Sequence, residues 1–384
     1  MKLTKNYQPL IYFFIAVAIA TFSSCSEDDD PKGPSYQVPD TYAFENAAYN
    51  GQTVRIQLLD SLGKLINSAK TNKVTQAQLL AVYENQNSLF GGNQKLSDKT
   101  APGTDTQIRE WFELVEENSP MAEDKRGTKG WFITPNGLDV SQLVQKTLMG
   151  SVFYYQATST YLDGIENDNN TAVGEEGYTE MEHHWDEAFG YYGAPKDFSL
   201  YTAEDILVKY RDTNGDGIQN IPDEKYYFHA GYSVTRDEGA KNFPEAEKVT
   251  FRKNLMDNFI KGRAAISNKD GQGREEAKEQ ILVNWEKQIA ASAIHYFKAV
   301  KEKIEANSEV LDDVYSTNHE WSEGRGFLNS LNYNNNSIIT AAQWNEIDAL
   351  VGDQPSETTP ENLSLAVEKI QTIYGFSDYQ TDNF

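Results

Sequence analysis

Two short stretches of the 384-residue chain concentrate the residue types that do chemistry. The first is His183-His184-Trp185-Asp186-Glu187-Ala188-Phe189-Gly190-Tyr191. The second is His319-Glu320-Trp321-Ser322-Glu323-Gly324-Arg325-Gly326-Phe327. Both read His-x-Trp-x-Glu-x-x-Gly-aromatic. Three of the five histidines and two of the six tryptophans fall inside them, so the pair reads as the remnant of an internal duplication. On a helix, residues three or four apart share a face, which makes His183 and His184 neighbours of Glu187, and His319 a neighbour of Glu323. A neutral imidazole beside a carboxylate is half of a transition-metal site with nitrogen and oxygen ligands. Two such halves brought face to face would complete a site for iron or zinc. Tyr191, Tyr192 and His295 are further candidate ligands or hydrogen-bonding supports. Two other readings stay open. Each copy can be a structural hydrogen bond that anchors its own bundle, with its Trp in the core, or Glu187 can serve as a general base.

A second constellation lies between the two. Asp212-Thr213-Asn214-Gly215-Asp216-Gly217-Ile218-Gln219-Asn220-Ile221-Pro222-Asp223 places oxygen side chains at loop positions 1, 3, 5, 9 and 12, and a glycine at position 6. A calcium ion takes six to eight hard oxygens, and the sharp turn at position 6 calls for glycine. The expected ligands are Asp212, Asn214, Asp216, the Ile218 carbonyl, Asn220 and Asp223. An aspartate at position 12 resembles dockerin and related extracellular calcium loops. A structural Ca2+ joining helices is the expectation, and a metal-free polar turn is the alternative.

The elements that must position these groups are helical. Gln52 to Asn67 carries one apolar stripe. Thr75 begins a helix that Gly91-Gly92 ends, and a short helix follows around Trp111. Asp139 caps a long helix running to Tyr155. Thr179 with Glu182 forms a capping box that puts His183 in the first turns of a helix, after an acidic loop over residues 163–178. Thr202 caps Ala203 to Tyr210, and residues 229–246 look irregular. A helix from Val249 reaches Ile266, and the longest runs from about Glu275 to Ala306. Ala341 to Val351 and Glu361 to Tyr374 close the chain, the latter behind Thr359 and Pro360. The fold class is all-α, expected as two related antiparallel bundles within 42–384, roughly 42–200 and 245–384, with the calcium-type loop between them.

The first residues read as an export signal spanning 1–24. Lys2 and Lys5 precede an apolar run from Leu10 to Phe22, and Ser23-Ser24-Cys25 closes it. The chain's single cysteine stands at the lipidation position, so Cys25 is expected to carry the lipid anchor and no disulfide can form within the chain. Residues 25–41 form an acidic, proline-rich tether. Its Ser26-Glu27-Asp28-Asp29-Asp30 resembles the tag that directs Bacteroidota lipoproteins to the outer face of the outer membrane. The formal charge of -24 disfavours nucleic acid as a partner and accords with a hydrated surface or with cation binding.

The His184-x-x-Glu187 spacing resembles the Gly-x-His-x-x-Glu helix motif of imelysin-like proteins, with Glu182 in place of the glycine. The resemblance implies paired helical bundles, a link to iron uptake, and His184 and Glu187 as metal ligands. A broader likeness rests on five segments: Tyr49-x-Gly51-Gln52-Thr53-Val54-Arg55, Leu148-Met149-Gly150, the first motif, Gly262-Arg263-Ala264-Ala265-Ile266, and Trp321-Ser322-Glu323. Together they resemble domain-of-unknown-function family 4856, lipoproteins without an assigned activity. The metallopeptidase signature His-Glu-x-x-His is missing, so proteolysis is not expected. The leading expectation is a surface-anchored, non-catalytic protein that binds iron or a metal-containing ligand for uptake, with an unidentified receptor as a possible partner. A nutrient-binding or scaffold lipoprotein for glycan or peptide and a metal-dependent hydrolase are the alternatives.

Overall fold

The computed structural model describes residues 36–221, 223–239 and 242–384. The expected export signal, Cys25 and most of the expected tether lie outside the described residues. Thirteen α-helices follow in order: α1 Asn50–Ser68, α2 Gln76–Tyr83, α3 Thr104–Asn118, α4 Val140–Leu148, α5 Glu180–Tyr192, α6 Ala203–Val208, α7 Phe228–Gly239, α8 Phe251–Ser267, α9 Gly271–Ala306, α10 Leu311–Ser330, α11 Ala341–Val351, α12 Pro360–Tyr374 and α13 Asp378–Asn383. The only β pairing among the described residues is two isolated bridges, Ile133 with Asp139 and Tyr210 with Lys225. The all-α class therefore holds. No described helix is long and apolar enough to cross a membrane.

Local sequence accounts for most boundaries. The Thr179–Glu182 capping box opens α5, and Gly193, at φ 83°, closes it in the left-handed region that suits glycine. The Asp270 side chain caps α9 four residues earlier than the expected start, accepting from the Gly273 N–H. Thr359 and Pro360 open α12 as expected. Helix α2 stops at Tyr83, well before Gly91-Gly92, and Asn85 follows with φ 46°.

Two stretches depart from the expectation. Residues 228–239 form α7, with His229, Ala230, Ser233 and Val234 buried on one face. Half of that face is polar, so a search for apolar periodicity passes over it. The helix expected from Asp139 to Tyr155 is regular only to Leu148, then widens into π turns over Met149–Tyr154 and Ala157–Tyr161. π turns often mark functional segments. The first turn contains Gly150, where an added Cβ would lie 2.5 Å from the Ser330 Cα of α10.

Helix α9 is the axis. It packs against α7, α8, α10 and α12, while α10 also lies along α4, and α4 along α1. Gln37–Phe384 forms one compact unit with a continuous core. Trp285 of α9 shows how the upstream and downstream halves join. Its fully buried indole meets Tyr154 and Tyr192 from before the acidic loop and His229 and Phe259 from after it. Losing a side chain of this size from such a site costs about 3–5 kcal/mol.

Candidate functional site

Each motif copy builds the same small cluster on a different pair of helices. In the first, α5 places His183 so that its ring stacks on Tyr178 at 4.6 Å, and its Nε2 lies 3.8 Å from Glu187 Oε2. Glu187 Oε1 accepts from Gln52 Nε2 of α1 at 2.7 Å and from the Tyr161 hydroxyl at 3.3 Å. In the second, α10 places His319 on Trp131 at 4.3 Å, with its Nε2 3.5 Å from Glu323 Oε2. Glu323 Oε1 meets Lys146 Nζ of α4 at 3.0 Å and the Tyr232 hydroxyl at 3.2 Å. The correspondence extends to the glycine of each motif. A Cβ on Gly190 would stand 2.6 Å from the Cβ of Tyr49, the N-cap of α1, and 3.0 Å from the Gln52 Cβ, and one on Gly326 would stand 2.5 Å from the Lys146 Cβ of α4. Glycine is therefore what lets the donor-bearing helix approach in both places. Trp185 and Trp321 are fully buried, and their indole N–H groups donate to the Phe259 carbonyl and the Thr358 hydroxyl.

The copies differ in what surrounds them. The second is closed. Asp139, fully buried, caps α4 through the Gln142 N–H and accepts from His319 Nδ1 at 2.7 Å. Burial raises the Glu323 pKa, but Lys146 and then His319 lower it further, so the carboxyl ends below its ordinary range. The first copy is open. His183 and Glu187 border a cavity of about 350 Å³ whose lining includes Gln52, Arg55, Gln94 and Lys99. His183 Nδ1 has no partner. Burial lowers the Lys99 pKa, and the neighbouring Arg55 charge adds to the shift.

The sequence-derived ligands thus separate. His183, rather than His184, faces Glu187. His184 instead holds Asp168 at 2.7 Å and packs near Tyr161. His295 lies edge-on to Tyr296, and burial, then Arg236, lowers its pKa. Among the described residues, no histidine belongs to a group of three His, Cys, Asp or Glu ligand atoms close enough to share an ion. The group that does form lies in the acidic loop. Asp212, Asp216 and Glu224 each bring an oxygen within 4.8 Å of the others. Asp212 accepts from the N–H groups of Gly215 and Gly217, and both glycines sit at positive φ, 75° and 72°. The third carboxylate of this group is Glu224, one residue past the expected Asp223, which is exposed. Burial raises the Glu224 pKa. Hydrogen bonds from the Thr213 N–H and hydroxyl, and from the Asn220 N–H and side chain, outweigh this and hold it down to about 2. The Tyr210–Lys225 bridge ties the two ends of the loop together.

Sequence reading also missed Trp131, Lys146, Tyr161 and Tyr232. Gln52 and Arg55 lie in a segment noted above for its apolar stripe and its family likeness, not for these side chains. Nothing short-range marks these residues, because each reaches its motif across a helix interface.

The family model described as Domain of unknown function (DUF4856) matches residues 121–376, more than half of the 384-residue chain. The chain belongs to that family. No curated protein and no solved structure matches it. The DUF4856 match takes in both motif copies and the acidic loop. It begins downstream of Gln52, Arg55 and Lys99, so those walls of the open cavity come from residues before the matched span.

Proposed function

We propose that this DUF4856 protein is a lipid-anchored, non-catalytic envelope protein that captures a metal-containing small ligand in the cavity beside the first motif copy. The observation that carries the reading is the His183–Glu187 pair on the edge of a 350 Å³ space. Two ligand atoms on one ion, each about 2.1 Å away, lie roughly 3–3.5 Å apart, so a shift of a few tenths of an ångström brings Nε2 and Oε2 into range. Two protein ligands are too few for a bare iron or zinc ion. A metal already held by an oxygen-rich chelator needs only to exchange one or two of its positions. Iron is the leading candidate and zinc the second, since imidazole with carboxylate suits both.

The test is calorimetric titration of the mature protein with ferric citrate, with iron in the complex quantified by elemental analysis. His183→Gln and Glu187→Gln are each expected to weaken binding at least about tenfold, a loss of roughly 1.4 kcal/mol. Unchanged affinity and iron content in both variants would sink the reading.

Within the same proposal, the two motif copies are products of one duplication, and the acidic loop holds a structural Ca2+ through Asp212, Asp216 and Glu224, with Asn214, Asn220 and the Ile218 carbonyl as further oxygens. Calcium is expected to raise the melting temperature of the parent, and that rise should vanish in Glu224→Gln but survive in Asp223→Asn. Outer-membrane anchoring through Cys25 predicts that Cys25→Ser releases the protein from the membrane fraction.

A second reading, capture of a glycan or peptide, draws on a separate cleft of about 540 Å³ where α9 ends and α10 begins. Its lining mixes Ile304 and Val314 with Asn307, Ser308, Thr317 and Asn318. Retention on a glycan array that Asn318→Ala abolishes would favour it.

A further inference from the structure

We infer that Arg55 and Lys99 form an oxyanion-binding wall in the open cavity, and that the ligand taken there is a small carboxylate or phosphate carrying a hydroxyl or amine. The inference deepens the capture reading and uses the same cavity.

In a chain with 58 acidic and 34 basic residues, a buried cation has no shortage of carboxylates to pair with. Three other buried cations find them. Arg263 holds Asp186 and Glu182, Lys146 holds Glu323, and Arg325 holds Asp348. Arg55 does not. The residue is 7% exposed, and its side chain donates to the main-chain oxygens of Lys95 and Gly51 beside the Tyr191 hydroxyl. Lys99 donates to the Tyr161 hydroxyl at 3.1 Å. Among the described residues, neither cation has a carboxylate within ion-pair distance. The acid lining the cavity is Glu187, whose Oε1 accepts from Gln52 and Tyr161 while its Oε2 stands toward His183.

Arg55 is withdrawn from water without an acidic partner, which is costly, and the half-buried Lys99 beside it adds repulsion. The arrangement is relieved if the missing negative charge arrives with a ligand. A guanidinium and an ammonium converging on one cavity are the donors that carboxylate and phosphate groups take. The remaining lining sets the rest of the ligand. Gln94 Oε1 is buried without a donor, and Glu187 offers carboxylate oxygens, so both call for a ligand hydroxyl or amine. The volume fits a small molecule and excludes a folded domain.

The test is titration of the full mature chain, without metal, with citrate, glutamate and inorganic phosphate at fixed ionic strength, followed by ferric citrate. At least one metal-free anion is expected to bind with a Kd below about 1 mM. Binding of citrate or glutamate alone marks the site for carboxylates, and binding of phosphate alone marks it for phosphate. Lys99→Met should weaken the anion at least about tenfold and Arg55→Gln more, whereas Lys64→Met, an exposed control elsewhere on α1, should change nothing. Arg55 is buried and its loss can impair folding, so Lys99→Met, checked by its thermal melt, decides. The inference is overturned if none of the three anions binds, or if Lys99→Met binds them as tightly as the parent. The metal reading fails separately. If citrate binds but iron adds no affinity, and His183→Gln makes no difference to ferric citrate, the anion wall stands and the metal proposal does not. If ferric citrate binds in a His183-dependent way while Lys99→Met and Arg55→Gln leave it untouched, the outcome is the reverse.

Discussion

The first and second motif copies share a plan and part company over one residue on the packing helix. Where α1 offers Gln52 to Glu187, α4 offers Lys146 to Glu323. A neutral amide brings no opposing charge and leaves its carboxylate partly solvated and free to meet a ligand. A buried ammonium neutralises its carboxylate within the protein. The second histidine is held as firmly, with the fully buried Asp139 on one nitrogen and Trp131 stacked on its ring. The first has only the Tyr178 stack and a loose contact to Glu187. After a duplication, one copy with its charges internally matched can serve as framework, while the other keeps unmatched groups that can act on something else.

If that division is real, the largest effect follows from unmatching the closed copy. Lys146→Met leaves Glu323 buried without its cation and is expected to cost about 3–5 kcal/mol, read by urea denaturation. The double change Lys146→Met with Glu323→Gln should recover most of the loss, because no charge is then stranded. Gln52→Met in the open copy removes one hydrogen bond beside solvent and should cost only about 1 kcal/mol. Equal losses at the two positions would erase the distinction.

The next effect tests what the copies have in common. Gly190→Ala and Gly326→Ala each force a methyl group against a neighbouring helix, and each is expected to cost about 1–3 kcal/mol. Similar losses in the same denaturation assay would support a shared packing plan beneath two different electrostatic roles. A loss confined to one position would argue against duplication.

A smaller effect appears with pH. The folded Glu323 carboxyl lies below its ordinary value of 4.5. A depressed carboxylate contributes stability that is present above the unfolded value and is lost as pH falls through the folded one. The parent should therefore lose stability through this pair as pH falls from the ordinary carboxylate value of 4.5 through the lower folded one. In Lys146→Gln, where the second copy imitates the first, that part of the slope should flatten.

Much of this was legible beforehand. Caps and apolar stripes placed most helices, because these are signals between residues close in the chain. Thr179 with Glu182, and Thr359 with Pro360, set their helix starts as expected. The two motif copies were visible for the same reason. What each copy does was not, since the deciding residues lie more than a hundred positions away. Gln52 reaches Glu187, and Lys146 reaches Glu323, only once α1 and α4 have docked. The loop shows the same limit over a shorter distance. Spacing nominated Asp223, which is exposed, whereas hydrogen bonds from Thr213 and Asn220 draw Glu224 in beside Asp212 and Asp216. Helix α7 escaped notice because its buried face carries a histidine and a serine, which periodicity counts as polar.

The smallest stability effect is the most informative about function. His183→Gln should change folding stability by no more than about 0.5 kcal/mol, because the side chain is one-third exposed, its Nδ1 has no partner, and its Nε2 sits 3.8 Å from Glu187. His319→Gln should cost about 1–2 kcal/mol, since it strips a buried aspartate of its hydrogen bond. A histidine that adds little to the fold, yet is held on an aromatic ring at the edge of a cavity, has the profile of a group whose partner comes from outside. Should His183→Gln destabilise as strongly as His319→Gln, the first copy is framework as well. The asymmetry between the two copies would then reflect solvent exposure alone.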